Sequence, residues 1–148
     1  VTIGPVRDEH ADIKKDLVRL KALPNVHFLG GKPASELPLY INGLDICLMP
    51  YRKTNYTKYI YPLKMHEYFA CGKPVVSTEL ENLKEFSDVL QFADNSNDWI
   101  ASIERAIESI SEQQAQRLIR IASHNSWASR VEKIVECLDM GYWSRCER

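Results

Sequence analysis

Between Asp45 and Glu67 the chain carries no acidic residue. That stretch holds Arg52, Lys53, Lys58, Lys64 and His66, with Tyr51, Tyr56, Tyr59 and Tyr61 between them. The whole chain is balanced, with 19 Lys and Arg against 20 Asp and Glu, so the patch is local. It runs into "YPLKMHEYFACGKPVVS", where Pro62 suits the first turn of a helix. A helix start offers unpaired N–H groups and the positive end of the helix dipole. Combined with lysines, it suits an anion, most simply a phosphate. On charge alone, a solvated loop whose tyrosines cover a sheet edge explains the stretch at least as well.

The helix itself adds detail. Lys64 and Glu67 lie three apart and share a face, while Met65 and Phe69 share another, suited to packing. Glu67 falls about 7 Å along the axis from Pro62 at 1.5 Å per residue. With a diphosphate at the helix start, an attached ribose would lie near that carboxylate. A carboxylate accepts hydrogen bonds from both hydroxyls of a vicinal diol, as acidic residues do in dinucleotide folds. A Lys64–Glu67 surface pair worth a few tenths of a kcal/mol is the alternative, and spacing does not choose between them. Gly72 and Pro74 read as helix stop and turn. Neither GxGxxG nor GxxxxGK[ST] is present.

The elements that position this stretch read as alternating strands and helices. Short apolar runs without alternation, at 1–4, 26–30, 45–50, 74–78 and 89–93, argue for parallel strands covered on both faces. Asp8 to Leu23 reads as a helix with Ile13, Leu17 and Leu20 on one face, ended by Pro24-Asn25. Ser35 is expected to cap a short helix carrying Leu37, Tyr40 and Leu44. Tyr61 to Cys71 is the next helix, and a short one is expected before the last strand. Trp99, Ile103, Ala106 and Ile110 mark one tail helix, and Val131, Ile134, Val135 and Leu138 another, with Asn125-Ser126 as a cap before Trp127. The fold expected is α/β, a Rossmann-like doubly wound parallel sheet with a helical C-terminal tail. Ligands of such sheets bind at the carboxyl ends of the strands, here Gly4-Pro5, Gly30-Gly31, Pro50-Tyr51 and Ser77-Thr78.

Length and composition fit one soluble domain over residues 1–148, with nothing that points to nucleic acid. No apolar run approaches a membrane span, and neither a span nor a signal peptide is expected. Cys47, Cys71, Cys137 and Cys146 lack CxxC spacing and read as reduced thiols. His10, His27, His66 and His124 are scattered without accompanying carboxylates, so no metal is expected. The opening "VTIGP" reads as a core strand, so the chain is expected to be part of a longer protein.

The stretches "LPNVHFLGGKPASELPLYINGLDICLMPY", "YPLKMHEYFACGKPVVST" and "NSWASRVEKI" together resemble the C-terminal half of GT-B glycosyltransferases. They are most similar to the retaining glycosyltransferase family 4. The resemblance runs from about Val1 to Ile134, and the P-x-K-x-x-E-Y-x-A-x-G-K-P-V-V string is its most specific part. It implies a domain that binds a nucleotide-sugar donor, UDP- or GDP-linked, with no further cofactor. The donor cleft would face an N-terminal domain that holds the acceptor. The resemblance places the ribose on Glu67 and the diphosphate on the backbone of Leu63 and Lys64, beside Tyr61. It sets Leu29, Gly30 and Lys32 near the base, with Gly4 lining the cleft. It implies retention of configuration, hexosyl transfer, surface polysaccharide or glycoconjugate synthesis, and a cytoplasmic location. Peripheral association with the inner face of the membrane, through the other domain, is also expected.

Relatives often carry a second glutamate eight positions before the one at Glu67; here that position is Tyr59. Donor-sugar handling therefore departs from the pattern, and no catalytic residue is assigned. Two other classes stay open: a non-catalytic GT-B-like domain, which Tyr59 favours, and a nucleotide-sugar 2-epimerase. The epimerase should add catalytic carboxylates and histidines that are not evident. In the tail, Tyr142 and Trp143 are expected to contact the other domain.

Overall fold

The computed structural model describes residues 1–6 and 11–139. The chain divides into two compact units, one through Leu39 and one from Tyr40 onward.

In the first unit the two expected strands meet at one point. Thr2 and Phe28 form an isolated parallel bridge. The Thr2 N–H donates to the His27 carbonyl at 2.8 Å and the Leu29 N–H to the Thr2 carbonyl at 2.9 Å. The Gly4 N–H then reaches the Gly30 carbonyl at 2.9 Å. Gly30 has φ +69°, outside the extended region, so the ladder cannot run on past it. Helix α1 covers Ala11–Lys21, ending just ahead of Pro24 as expected; the start expected at Asp8 lies outside the described residues. Ile13 and Leu20 remain 44% and 45% exposed, so their side of α1 is only partly covered.

The expectation for Ser35 needs correcting. A 3₁₀ turn, Ala34–Glu36, begins after Pro33, which makes no side-chain cap bond, and α2, Leu37–Asn42, follows directly. Ser35 lies inside the turn. Pro33 has the fixed φ that proline imposes, here −57°, and it starts the turn two residues earlier than a serine cap would.

The second unit holds a three-stranded parallel sheet in the order β1 (Cys47–Met49), β2 (Val75–Ser77), β3 (Leu90–Phe92). The register aligns Cys47 with Val75 and Leu90, and Met49 with Ser77 and Phe92. β2 is central and buried throughout, which explains why its residues are apolar or small. Helices cover both faces. Val76 packs with Ala93 and with Ala106, Ile103 and Trp99 of α4 (Ser96–Glu108). Val75 and Ser77 point the other way, and α3 (Leu63–Ala70) packs against β2 and against α5 (Glu112–His124). A 3₁₀ helix, Glu81–Phe86, joins β2 to β3, and α6 (Trp127–Asp139) closes the described chain.

Sequence reasoning named two tail helices, whereas three are present among the described residues. The unnamed one, α5, buries Leu118 and Ala122 on a narrow face that apolar periodicity missed. Its start was readable: Ser111 accepts from the Gln114 N–H at 3.2 Å, and S-x-x-Q is a capping-box pattern. Ser126 caps α6 by accepting from the Ser129 N–H at 3.2 Å. Trp127, Val131, Ile134, Val135 and Leu138 are exposed on α6. Tyr142, Trp143 and Cys146 lie outside the described residues.

Helix α3 ends in a Schellman motif. The Gly72 N–H donates to the Phe69 carbonyl at 2.8 Å and the Lys73 N–H to the Tyr68 carbonyl at 3.0 Å. Gly72 has φ +67°, and a Cβ there would stand 3.0 Å from the Ala115 Cβ. Gly72→Ala is therefore expected to cost roughly 1–2 kcal/mol for the left-handed backbone alone, plus the clash with α5. Glycine at position 115 costs about 1 kcal/mol by itself. In a cycle with Ala115→Gly, the double variant should recover only the clash part. Complete recovery in denaturant unfolding would contradict the backbone argument.

Candidate functional site

The chain that enters α3 is fixed before the helix begins. After β1, Thr54 and Thr57 form a knot: the Thr54 N–H donates to the Thr57 hydroxyl at 2.8 Å, and the Thr57 N–H returns to the Thr54 hydroxyl at 3.0 Å. The Thr57 hydroxyl also bonds the Arg52 carbonyl. A 3₁₀ turn, Thr57–Tyr59, follows. The Asn82 amide donates to the Tyr59 carbonyl at 2.9 Å, so this loop is tied to the one after β2. At the strand ends, the Thr78 hydroxyl donates to the Tyr51 carbonyl at 2.8 Å.

Pro62 is the N-cap of α3 and provides no side-chain cap bond, and the first turn contains no acid. The Met65 N–H turns back to the Pro62 carbonyl at 3.2 Å, which leaves the Leu63 and Lys64 N–H groups for another partner. Met65 and Phe69 are fully buried, which turns Leu63, Lys64 and Glu67 outward, all three exposed. The Lys64–Glu67 surface pair does not form: neither side chain is in an ion pair among the described residues. A cavity of about 200 Å³ lies alongside, lined by Leu48, Met49, Pro50 and Tyr51 at the carboxyl end of β1 and by Lys64 and Tyr68 of α3. The Tyr68 hydroxyl is pushed up to about 12, mainly by burial and then by Cys47, Glu67 and Tyr51. It stays protonated at neutral pH and can donate a hydrogen bond.

A larger cavity, about 390 Å³, lies between the loops after β1 and β2, lined by Lys53, Thr54, Asn55, Lys58, Glu79, Leu80, Glu81 and Lys84. Much of its charge is already paired. Lys53 meets Asp94 at 2.6 Å, and Lys84 meets Glu81 at 2.9 Å and Glu79 at 3.7 Å. For an anion, the start of α3 is chemically the better site despite the smaller volume, because its donors are unmatched.

The cationic stretch is therefore split between two places, Lys53 and Lys58 at the larger cavity and Lys64 on α3. Tyr59 is 69% exposed, with the Lys58 ammonium 5.4 Å from its ring centre. Tyr56 is more exposed still, so these two tyrosines do not cover the sheet. Tyr61 is half-buried, and its hydroxyl is engaged by His66 Nε2 at 2.7 Å and by the Arg130 guanidinium at 3.1 Å. Thus Tyr59, Tyr61, Leu63, Lys64 and Glu67 lie together on the approach to α3 and its first turns. Gly4, Leu29, Gly30 and Lys32 belong to the other unit, where the Gly4–Gly30 hydrogen bond joins the two chain segments.

Sequence reasoning missed Arg130. It lies 69 residues from Tyr61, beyond the reach of any local spacing rule. His66 also looked like part of the cationic patch, yet its pKa is lowered, by burial first and by Arg130 second. Cys47 is buried and its thiol pushed up to about 12, chiefly by burial. Among the described residues, no group of three or more His, Cys, Asp or Glu could hold a metal ion. Likewise, no described helix is long and apolar enough to cross a membrane.

A parallel α/β sheet with helices on both faces, and an uncapped helix start beside a strand's carboxyl end, is Rossmann-like. The chain belongs to the glycosyl transferases group 1 family, whose model matches residues 1–120, and its fold is that of a GT-B domain. It is 30% identical over 122 residues to "Putative teichuronic acid biosynthesis glycosyltransferase TuaH" of Bacillus subtilis (strain 168). That match covers 79% of this chain and 31% of the relative, so the chain spans about a third of the relative's length. No solved structure matches.

The lowered pKa of His66 predicts a pH dependence of stability. The unfolded chain binds a proton there near pH 6.5, and the folded chain binds it only at lower pH. The stabilisation by neutral His66 is full above about pH 6.5 and is lost as pH falls through the interval between the two values. His66→Gln, which cannot titrate, should show a shallower loss of unfolding free energy from pH 7.5 to 5. Equal slopes in the two proteins would remove His66 from the account.

Proposed function

We propose that this chain is the donor-binding part of a glycosyltransferase. It holds a nucleotide-diphosphate sugar, UDP- or GDP-linked, for transfer to an acceptor held elsewhere in a longer polypeptide. The observation that carries this reading is the start of α3: uncapped N–H groups, Lys64, and a Glu67 that is exposed and unpaired. In this reading the Leu63 and Lys64 N–H groups and the Lys64 ammonium take the diphosphate. Glu67 accepts from the ribose hydroxyls. Groups fixed in place before reaction stabilise the leaving diphosphate as its charge develops. Family membership supports glycosyl transfer, and the resemblance to retaining enzymes supports retention of configuration and a hexosyl donor. The name of the Bacillus relative, a teichuronic acid biosynthesis glycosyltransferase, supports a role in surface polysaccharide synthesis, and the resemblance to the family supports a cytoplasmic location.

The test is Glu67→Ala. Nucleotide-sugar affinity, measured by calorimetry with UDP- and GDP-sugars, should fall by about 10- to 150-fold, the equivalent of roughly 1.5–3 kcal/mol for a bond to a charged group. Unchanged affinity sinks the ribose role.

A second reading, a donor-binding partner that performs no transfer itself, is favoured by Tyr59. It stands where relatives carry a glutamate, and it has no carboxylate to offer. Transfer catalysed by the longer protein, abolished together with donor binding in Glu67→Ala, would dismiss it.

A further inference from the structure

Tyr61 and His66 occupy the positions before the N-cap and at the fourth residue of α3, given Pro62 as N-cap. A contact between those two positions is the staple that sets the angle at which a chain enters a helix. Usually it joins two apolar side chains. Here the rings stand 5.5 Å apart and the Tyr61 hydroxyl is 2.7 Å from His66 Nε2. The rest of the protein then clamps this staple. Arg130 of α6 donates to the Tyr61 hydroxyl at 3.1 Å, with its guanidinium carbon 5.2 Å from the ring centre. Its Nε donates to the Asn125 carbonyl at 3.2 Å, which fixes the guanidinium against the α5–α6 junction. Phe86, edge-on at 5.6 Å, closes the other side of His66.

Arginine has only donors, so the Tyr61 oxygen accepts from Arg130. The Tyr61–His66 bond runs in either direction, according to which ring nitrogen of His66 carries the proton. His66 Nδ1 is the one buried side-chain nitrogen or oxygen without a partner among the described residues. Glu85 is the further charge that acts on Tyr61. Only Pro62 separates Tyr61 from Leu63 and Lys64, so the angle fixed at Tyr61 sets where their N–H groups point.

We infer that Arg130 is a positioning residue for the start of α3, acting through the Tyr61–His66 staple to aim the first-turn N–H groups at their anion. This inference rests on the donor-binding reading above. It also makes the α5–α6 junction, remote in sequence, part of the donor site's geometry.

The test compares wild type, Arg130→Gln, Tyr61→Phe, the double variant and Glu67→Ala. Affinity for UDP-glucose and GDP-mannose is measured by calorimetry at pH 8, well below every unfolding midpoint. Arg130→Gln and Tyr61→Phe should each weaken the better-bound nucleotide sugar by about 3- to 30-fold, the range of effects transmitted through a neighbouring contact. The double variant should be no weaker than Tyr61→Phe alone, because Arg130 acts through that hydroxyl. Wild-type affinity in Arg130→Gln, or additive losses in the double variant, overturns the inference. Unchanged affinity in Glu67→Ala beside a loss in Arg130→Gln overturns the ribose role and leaves the positioning role standing. Without any nucleotide, the Leu63 and Lys64 amide resonances should shift in Arg130→Gln. Unmoved resonances overturn the inference even if the probes fail to bind.

Discussion

The burial of Met65 and Phe69 is the constraint on which the rest depends. Both are completely removed from water, and they stand one helical turn apart, so they fix the rotation of α3 about its axis. With that rotation fixed, Lys64 and Glu67 must face outward. Full burial of two large side chains stabilises the arrangement by roughly 1.5–3 kcal/mol each, well above the few tenths that a Lys64–Glu67 surface pair would contribute. The polar face is thus set by packing on the opposite side, and its charges need not satisfy each other.

The same logic explains which parts of the fold were legible in sequence. β2 lies between two strands and under two layers of helix, so every residue of it is apolar or small, and the run at 74–78 announces it. The candidate site on α3 could be proposed from sequence because its signals are local: a proline, a lysine and a glutamate at helical spacing. Where several local signals competed, the reading failed. Ser35 has the right side chain for a cap, but Pro33 two residues earlier fixes the backbone first. Helix α5 buries a narrow line of residues and presents glutamine and arginine around it, so its apolar period is weak although its capping pattern is clear.

The long-range ties were not legible at all. Nothing in "YPLKMHEY" indicates that Tyr61 will be held by an arginine on the last described helix. Nor does the patch of positive residues show that Lys53 will be drawn to Asp94 while Lys64 remains unpaired. Charge counted along a sequence measures supply. Pairing in the fold decides which charges remain available, and here it leaves Lys64, at the end of the patch, outside any ion pair among the described residues.

The turn after α3 carries a mechanical consequence. Only four residues, Cys71 to Pro74, separate the last residue of α3 from the first of β2, and Gly72 and Lys73 are bonded back onto the helix. The Lys73 ammonium is anchored as well, on the Asn42 carbonyl at 2.9 Å. Such a link has no slack, since a residue spans at most about 3.6 Å even when stretched. Helix α3 cannot slide along the sheet toward a ligand without pulling the central strand out of register. It behaves as a fixed anvil, and any closing of the protein around a bound molecule has to bring the other wall to it.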